Sequence, residues 1–176
     1  VLDHLLQRPY FKPALERLKA LGISARLVPV DPMGSEEINA PIIRRAIQEA
    51  RGPVFLIGHS MGGTHIAAAL GRYPELQDKL RAVLTIQSPH RGAPPADRLL
   101  PRLWLYDLIT ILARLLHPWR FFATSFRSWH QTIRELSQSH RSRLKRLFPP
   151  LKPGIGLFSV ASRLKMQPTA AAALIA

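Results

Sequence analysis

Residues 54–70 read VFLIGHSMGGTHIAAAL. A continuous apolar run (54–58) passes into a glycine-flanked turn and then into small apolar residues (64–70). Short apolar runs bounded by turns are the pattern of a parallel strand buried on both faces. The small residues predict a helix packed closely on its sheet. Between the two, Gly58-His59-Ser60-Met61-Gly62 matches G-x-S-x-G at a strand-to-helix junction, the setting in which that pattern carries chemistry. A serine that acts as a nucleophile there must project above the sheet from a sparsely populated backbone conformation. Side chains at Gly58 and Gly62 are expected to collide with the turn, and Gly63 to let the helix approach. The Met61 N–H, at the helix N-terminus, is expected to face a tetrahedral oxyanion, with the helix dipole assisting. His59 adjoins Ser60 but points away on such a turn, so it is expected to pack or to line a pocket.

Outward from this stretch, elements alternate. FKPALERLKALG (11–22) has Leu15, Leu18 and Leu21 at helical spacing, and Gly22 stands where a C-cap glycine belongs. ARLVPVDP (25–32) reads as a short strand. EINAPIIRRAIQEAR (37–51) places Ile38, Ile42, Ile43, Ala46, Ile47 and Ala50 on one helical face. AVLTIQS (82–88) and GIGLFSVAS (154–162) are two further apolar strands. Alternation of this kind predicts parallel pairing through right-handed crossovers, an α/β fold.

At this point the chain resembles a family. LIGHSMGG, followed about 25 residues later by TIQSPHRGAPPAD, is similar to the lipase/esterase branch of the α/β-hydrolase superfamily. The resemblance implies a mostly parallel sheet flanked by helices, Ser60 as the catalytic nucleophile and Met61 as an oxyanion donor. It also implies an ester or lipid substrate, no cofactor and no metal. Residues 1–96 and 153–176 would form a partial core, and 97–152 a helical, basic lid or cap. His90, in the Pro-His-Arg-Gly turn, is expected near the mouth of the pocket.

The resemblance also implies parts that the sequence does not supply. The family's second oxyanion donor lies in a His-Gly loop, and this sequence contains no His-Gly pair. Its acid follows the strand matching GIGLFSVAS, where Arg163-Leu164-Lys165-Met166 stands, and no Asp or Glu occurs after Glu135. Its histidine comes later still, and none lies beyond His140. The chain therefore reads as truncated at both ends, with an incomplete sheet and impaired or absent turnover. A rewired triad would draw on Asp97 or Asp107 with a histidine such as His117, although both carboxylates are better explained as surface or capping groups.

Composition narrows the partners. Over 176 residues the net charge is +14, there is no cysteine, and mean hydropathy is near zero. Disulfides and thiolate metal sites are excluded. The basic excess is concentrated in residues 98–152, with 11 Lys/Arg against 2 Asp/Glu. In that stretch, Leu103, Trp104, Leu108, Ile111, Leu112, Leu115 and Leu116 form an apolar stripe. PWRFFATSFRSW (118–129) then interleaves aromatics with arginine. An ordinary cap, an interfacial lid in peripheral contact with anionic membrane, and a nucleic-acid surface all fit a segment of this kind. Nucleic acid is the least favoured, because no recognised module is present. A non-catalytic module that binds anionic membrane through this insert is the alternative to an esterase. Oligomeric state and compartment are not written in the sequence. The lack of cysteine and of a signal-peptide pattern leans towards the cytoplasm.

Overall fold

The computed structural model describes residues 11–31, 34–105, 123–143 and 148–162. Helix α1 (Lys12–Ala20) ends as its sequence predicts. Gly22 takes φ 73°, its N–H donates to Lys19 O, and Ile23 N–H donates back to Leu18 O. This paired closure satisfies the last carbonyls of the helix. Helix α2 (Glu36–Glu49) begins at Ser35, whose hydroxyl accepts from the Ile38 N–H. It buries Asn39, Ala40, Ile43 and Ile47. Ile38, expected on that face, is instead exposed, and the buried face begins at Asn39 and Ala40.

Strand β1 (Val54–His59) leads into helix α3 (Met61–Arg72). A 3-10 turn (Pro74–Lys79) then feeds strand β2 (Leu80–Ile86). After β2 come helix α4 (Pro94–Leu99), helix α5 (Ala123–Leu136), helix α6 (Gln138–Arg143) and strand β3 (Gly156–Val160). The three strands pair in parallel in the order β1-β2-β3, with Ile57 opposite Leu84 and Leu84 opposite Phe158. The fold is α/β with a parallel sheet, as the alternation of elements predicts. The Asp107, His117 and Trp119 expectations, the residues after 162 and most of the apolar stripe lie outside the described residues.

The core fills the space between α2, α3 and one face of the sheet. Ile43, Ile47, Ile66, Leu70, Leu76, Leu80 and Val83 are its buried centre, with Leu56, Phe148 and Leu151 packed against it. Two expectations change here. VFLIG is not buried on both faces: Leu56 packs on the core, whereas Phe55 and Ile57 are 70% and 56% exposed. No described helix covers their side of the strand, and β2 is the one described strand that pairs with β1. Residues 25–31 do not form a strand either. Pro29 has no N–H to donate to a ladder, and the Val30 N–H turns back to Val28 O at 2.8 Å. Val28 and Val30 still pack against the core, and the Arg26 guanidinium ties the segment to Ala46 O of α2 at 2.7 Å.

Candidate functional site

Ser60 sits between β1 and α3 with φ 52° and ψ −127°, a conformation that non-glycine residues rarely adopt. Its N–H donates to Ile86 O of the neighbouring strand at 2.9 Å, and its carbonyl accepts from the Gly63 N–H. The residue is exposed, and its hydroxyl makes no hydrogen bond among the described residues. The Met61 N–H is likewise unbonded among the described residues, as the first N–H groups of a helix are. Thr64 closes the first turn by donating its hydroxyl to Met61 O at 2.9 Å.

The glycines around Ser60 do different work. A Cβ on Gly58 would lie 2.6 Å from the Gly63 backbone nitrogen, so that position admits no side chain. A Cβ on Gly63 would lie 2.1 Å from the Ser88 hydroxyl oxygen. The turn after β2 therefore rests directly on the start of α3, which explains why LIGHSMGG and SPHRG occur together. Gly62 was expected to be required for the same reason, but a Cβ there would meet nothing within 4 Å. The steric demand therefore falls on Gly58 and Gly63.

His59 meets the Phe11 ring edge-to-face, with centroids 5.8 Å apart. His90 is half-buried, its ring meets Phe148 edge-on at 6.0 Å, and its buried Nδ1 has no hydrogen-bond partner among the described residues. Burial pushes its imidazole below the usual histidine range, the Arg141 guanidinium pushes it further, and Glu36 opposes both. Asp97 accepts from the Gln138 N–H at 3.0 Å, so it caps α6.

Three features escape sequence reasoning. Gln87, the residue after β2, is the second non-glycine with positive φ, at 50°. The peptide between Ile86 and Gln87 is held from both sides, by the Ser60 N–H at its carbonyl and by Val160 O at its N–H. Two strained residues are thus linked through one peptide unit. The Gln87 side chain also donates to the Ser162 hydroxyl at 2.5 Å. No residue type in TIQSPH announces this.

The second feature is a buried charge cluster. Arg141, 3% exposed, pairs with the Glu36 carboxylate, and its Nε donates to Glu135 O at 2.6 Å. The Glu135 carboxylate accepts from the Glu36 N–H at 2.8 Å and from Gln131 at 3.0 Å. An acid from α5 thereby caps the N-terminus of α2, where the helix dipole favours negative charge. Burial raises the Glu135 carboxyl above its usual range, against the opposing pull of the Glu36 N–H. The Ala93 N–H donates to Leu136 O at 2.7 Å, and a Cβ on Gly92 would meet the Gln138 backbone at 2.7 Å, so α5 and α6 also press on the turn after β2. Arg141 is therefore not part of a solvated basic face.

The third feature is His65 on α3, fully buried beside Asn39. The Asn39 amide nitrogen lies 3.4 Å from one ring nitrogen and 3.5 Å from the other, and it also donates to Asp31 O and Gly34 O. Burial lowers the His65 pKa to about 4, so the imidazole is neutral at pH 7. Among the described residues no group of three or more His, Asp or Glu is placed to hold a metal ion, and no helix is long and apolar enough to cross a membrane.

Comparisons with known proteins agree with this architecture. Residues 17–174 match the model of a family described as the alpha/beta hydrolase family. The fold is similar to the crystal structure of a metagenomic carboxyl esterase, with a TM-score of 0.66 at 18% identity. That match covers 85% of this chain and 42% of the esterase, so the chain spans less than half of that protein's length. No curated protein matches the sequence.

Proposed function

Because the chain belongs to the alpha/beta hydrolase family, we propose that Ser60 is a nucleophile towards carboxylic esters and that this chain turns them over slowly. The observation that carries the reading is the strained, exposed Ser60 at the carboxyl end of β1, directly before an unbonded Met61 N–H. In the reaction, Ser60 Oγ attacks the ester carbonyl carbon and releases its proton to water, which returns one to the leaving alcohol, while the Met61 N–H holds the developing oxyanion. The alcohol leaves with a proton, and water then cleaves the acyl-serine to acid and free enzyme. Slow turnover is supported by the Ser60 hydroxyl, which meets no imidazole or carboxylate among the described residues. Without base and acid, an oxyanion donor and binding alone sustain about 10³-fold acceleration over water.

Incubation with a p-nitrophenyl ester followed by mass analysis of the peptide containing Ser60 tests both parts. An acyl adduct that forms slowly and is absent from Ser60→Ala is the expected result. No adduct on Ser60 overturns its assignment as nucleophile, and rapid multiple turnover abolished by Ser60→Ala overturns the slow rate. The structural likeness to a carboxyl esterase supports the choice of an ester as substrate.

A second reading concerns residues 97–152 as a cap that touches anionic membrane. Trp104 and Leu105 support it, exposed beside exposed Arg102, the mixture that settles at a lipid interface. Salt-sensitive sedimentation with anionic vesicles that survives Ser60→Ala is expected, and its absence removes this reading.

A further inference from the structure

At the opposite end of the strands from Ser60, about 20 Å away along β1, the surface is hollowed. Ala50, Arg51, Gly52, Pro53, Asp78, Lys79 and Arg81 line a concavity of about 240 Å³. Four of these residues are charged, and two of the charges are already occupied. The Lys79 ammonium donates to Gln48 O at 2.7 Å and to Ala50 O at 2.9 Å, so it neutralises the carboxyl end of α2. Asp78 is paired with Lys152. Arg51 and Arg81 remain. Both are exposed, and neither makes an ion pair or a side-chain hydrogen bond among the described residues. The backbone N–H groups of Arg51 and Gly52, which follow the end of α2, are also unbonded among the described residues.

We propose that this concavity is a phosphate site, in which the Arg51 and Arg81 guanidiniums and the Gly52 N–H receive the oxygens of one phosphate group. Arg51 and Arg81 line the same hollow without an ion pair among the described residues, and a dianion placed between them would balance both charges. Guanidinium presents a planar pair of donors that matches two phosphate oxygens, and a third oxygen remains for a backbone N–H. A carboxylate satisfies one guanidinium and leaves the other unbalanced. The site is independent of Ser60, because no residue in it touches the turn between β1 and α3. The same chemistry is offered by a dissolved phosphate monoester and by a phosphomonoester lipid headgroup, so the test separates the two.

The ¹⁵N-labelled chain is titrated with inorganic phosphate at low ionic strength while the Arg51, Gly52 and Arg81 amides are followed. Saturable shifts with a Kd on the order of 1 mM are expected, weakening as salt screens the charges. Arg51→Met and Arg81→Met should each weaken binding about tenfold, whereas Arg72→Met, an exposed arginine outside the concavity, should leave it unchanged. Far-UV circular dichroism confirms that the variants remain folded. In the second arm, vesicles of phosphatidylcholine with or without phosphatidic acid are sedimented with the chain. Recruitment that requires phosphatidic acid and is lost in both variants identifies a lipid headgroup as the source, and phosphate binding without recruitment identifies a dissolved one. Shifts that do not saturate, or binding and recruitment that both variants retain, overturn the proposal. Ser60→Ala should bind phosphate as the parent does, so a failure of the esterase reading leaves this result intact.

Discussion

Neighbouring residues of β1 and β2 meet different fates on the two faces of the sheet, whereas β3 is largely exposed on both, Leu157 included. On one face Leu56, Val83 and Thr85 lie under α2 and α3, with Val83 and Thr85 fully buried. On the other, Phe55, Ile57, Phe158 and Val160 are more than half exposed. The covered face also carries the polar connections: the His65–Asn39 pair between its helices and the Arg141 cluster at the end of α2. What separates the faces is not apolar character, which both carry, but whether a helix is delivered to them. An apolar run specifies a strand that can be buried, and the neighbouring elements decide how much of it is.

The largest expected effect tests the covered side. Arg141→Met leaves Glu36 and Glu135 without their cation and should cost about 3–5 kcal/mol in urea unfolding. A loss below about 1 kcal/mol would mean that the cluster does not hold α5 and α6 to the core. Acid should probe the same side through His65. Its folded pKa of about 4 lies below the unfolded value of 6.5, so neutral His65 favours the fold above pH 6.5. That contribution should be lost progressively as pH falls from 6.5 to about 4, up to about 3 kcal/mol. His65→Gln, which does not titrate, should flatten the slope in that window, and an unchanged slope would assign it to other groups.

A smaller effect of opposite sign is expected at the strand ends, which belong to neither face. Gln87→Gly removes the strain of a positive φ and should stabilise by about 0.5–1 kcal/mol, less the lost contact with Ser162. Destabilisation would show that the side-chain brace outweighs the backbone strain. The smallest effect is expected on the open face. Phe55→Thr should change stability by less than about 0.5 kcal/mol while reducing self-association in sedimentation velocity. A cost above about 2 kcal/mol would show that Phe55 is covered in solution and would break the comparison.

The parts of this molecule that were legible in its sequence are those with local causes. The turn at Ser60 can be read because the demand on Gly58 is created by residues within five positions of it. Gly22 closes α1 through bonds that span five residues or fewer. Pro29 was legible as well, since a proline inside a supposed strand argues against it, but the apolar residues around it outweighed that signal. Other features have distant causes. The positive φ of Gln87 depends on a peptide held between Ser60 and Val160, and nothing in its own neighbourhood requires it. Arg141 looks like one more basic residue in a basic segment until Glu36 is placed beside it. Gly63 was legible as a point of close approach, but not that the approaching residue is Ser88 from the turn after β2.

The cap that Glu135 places on α2 has a consequence for synthesis. The N–H it satisfies belongs to a residue 99 positions earlier, and the Arg141 pairing spans 105. At about 5–20 residues per second, roughly 5–20 s separate the translation of the two ends of this contact. During that interval α2 and the turn bearing Ser60 can form, but the first turn of α2 must leave its N–H groups to water. The nascent chain therefore waits for its own later sequence before the beginning of the fold can lock, and a pause in translation before residue 135 would prolong the period in which it is open to proteases and chaperones.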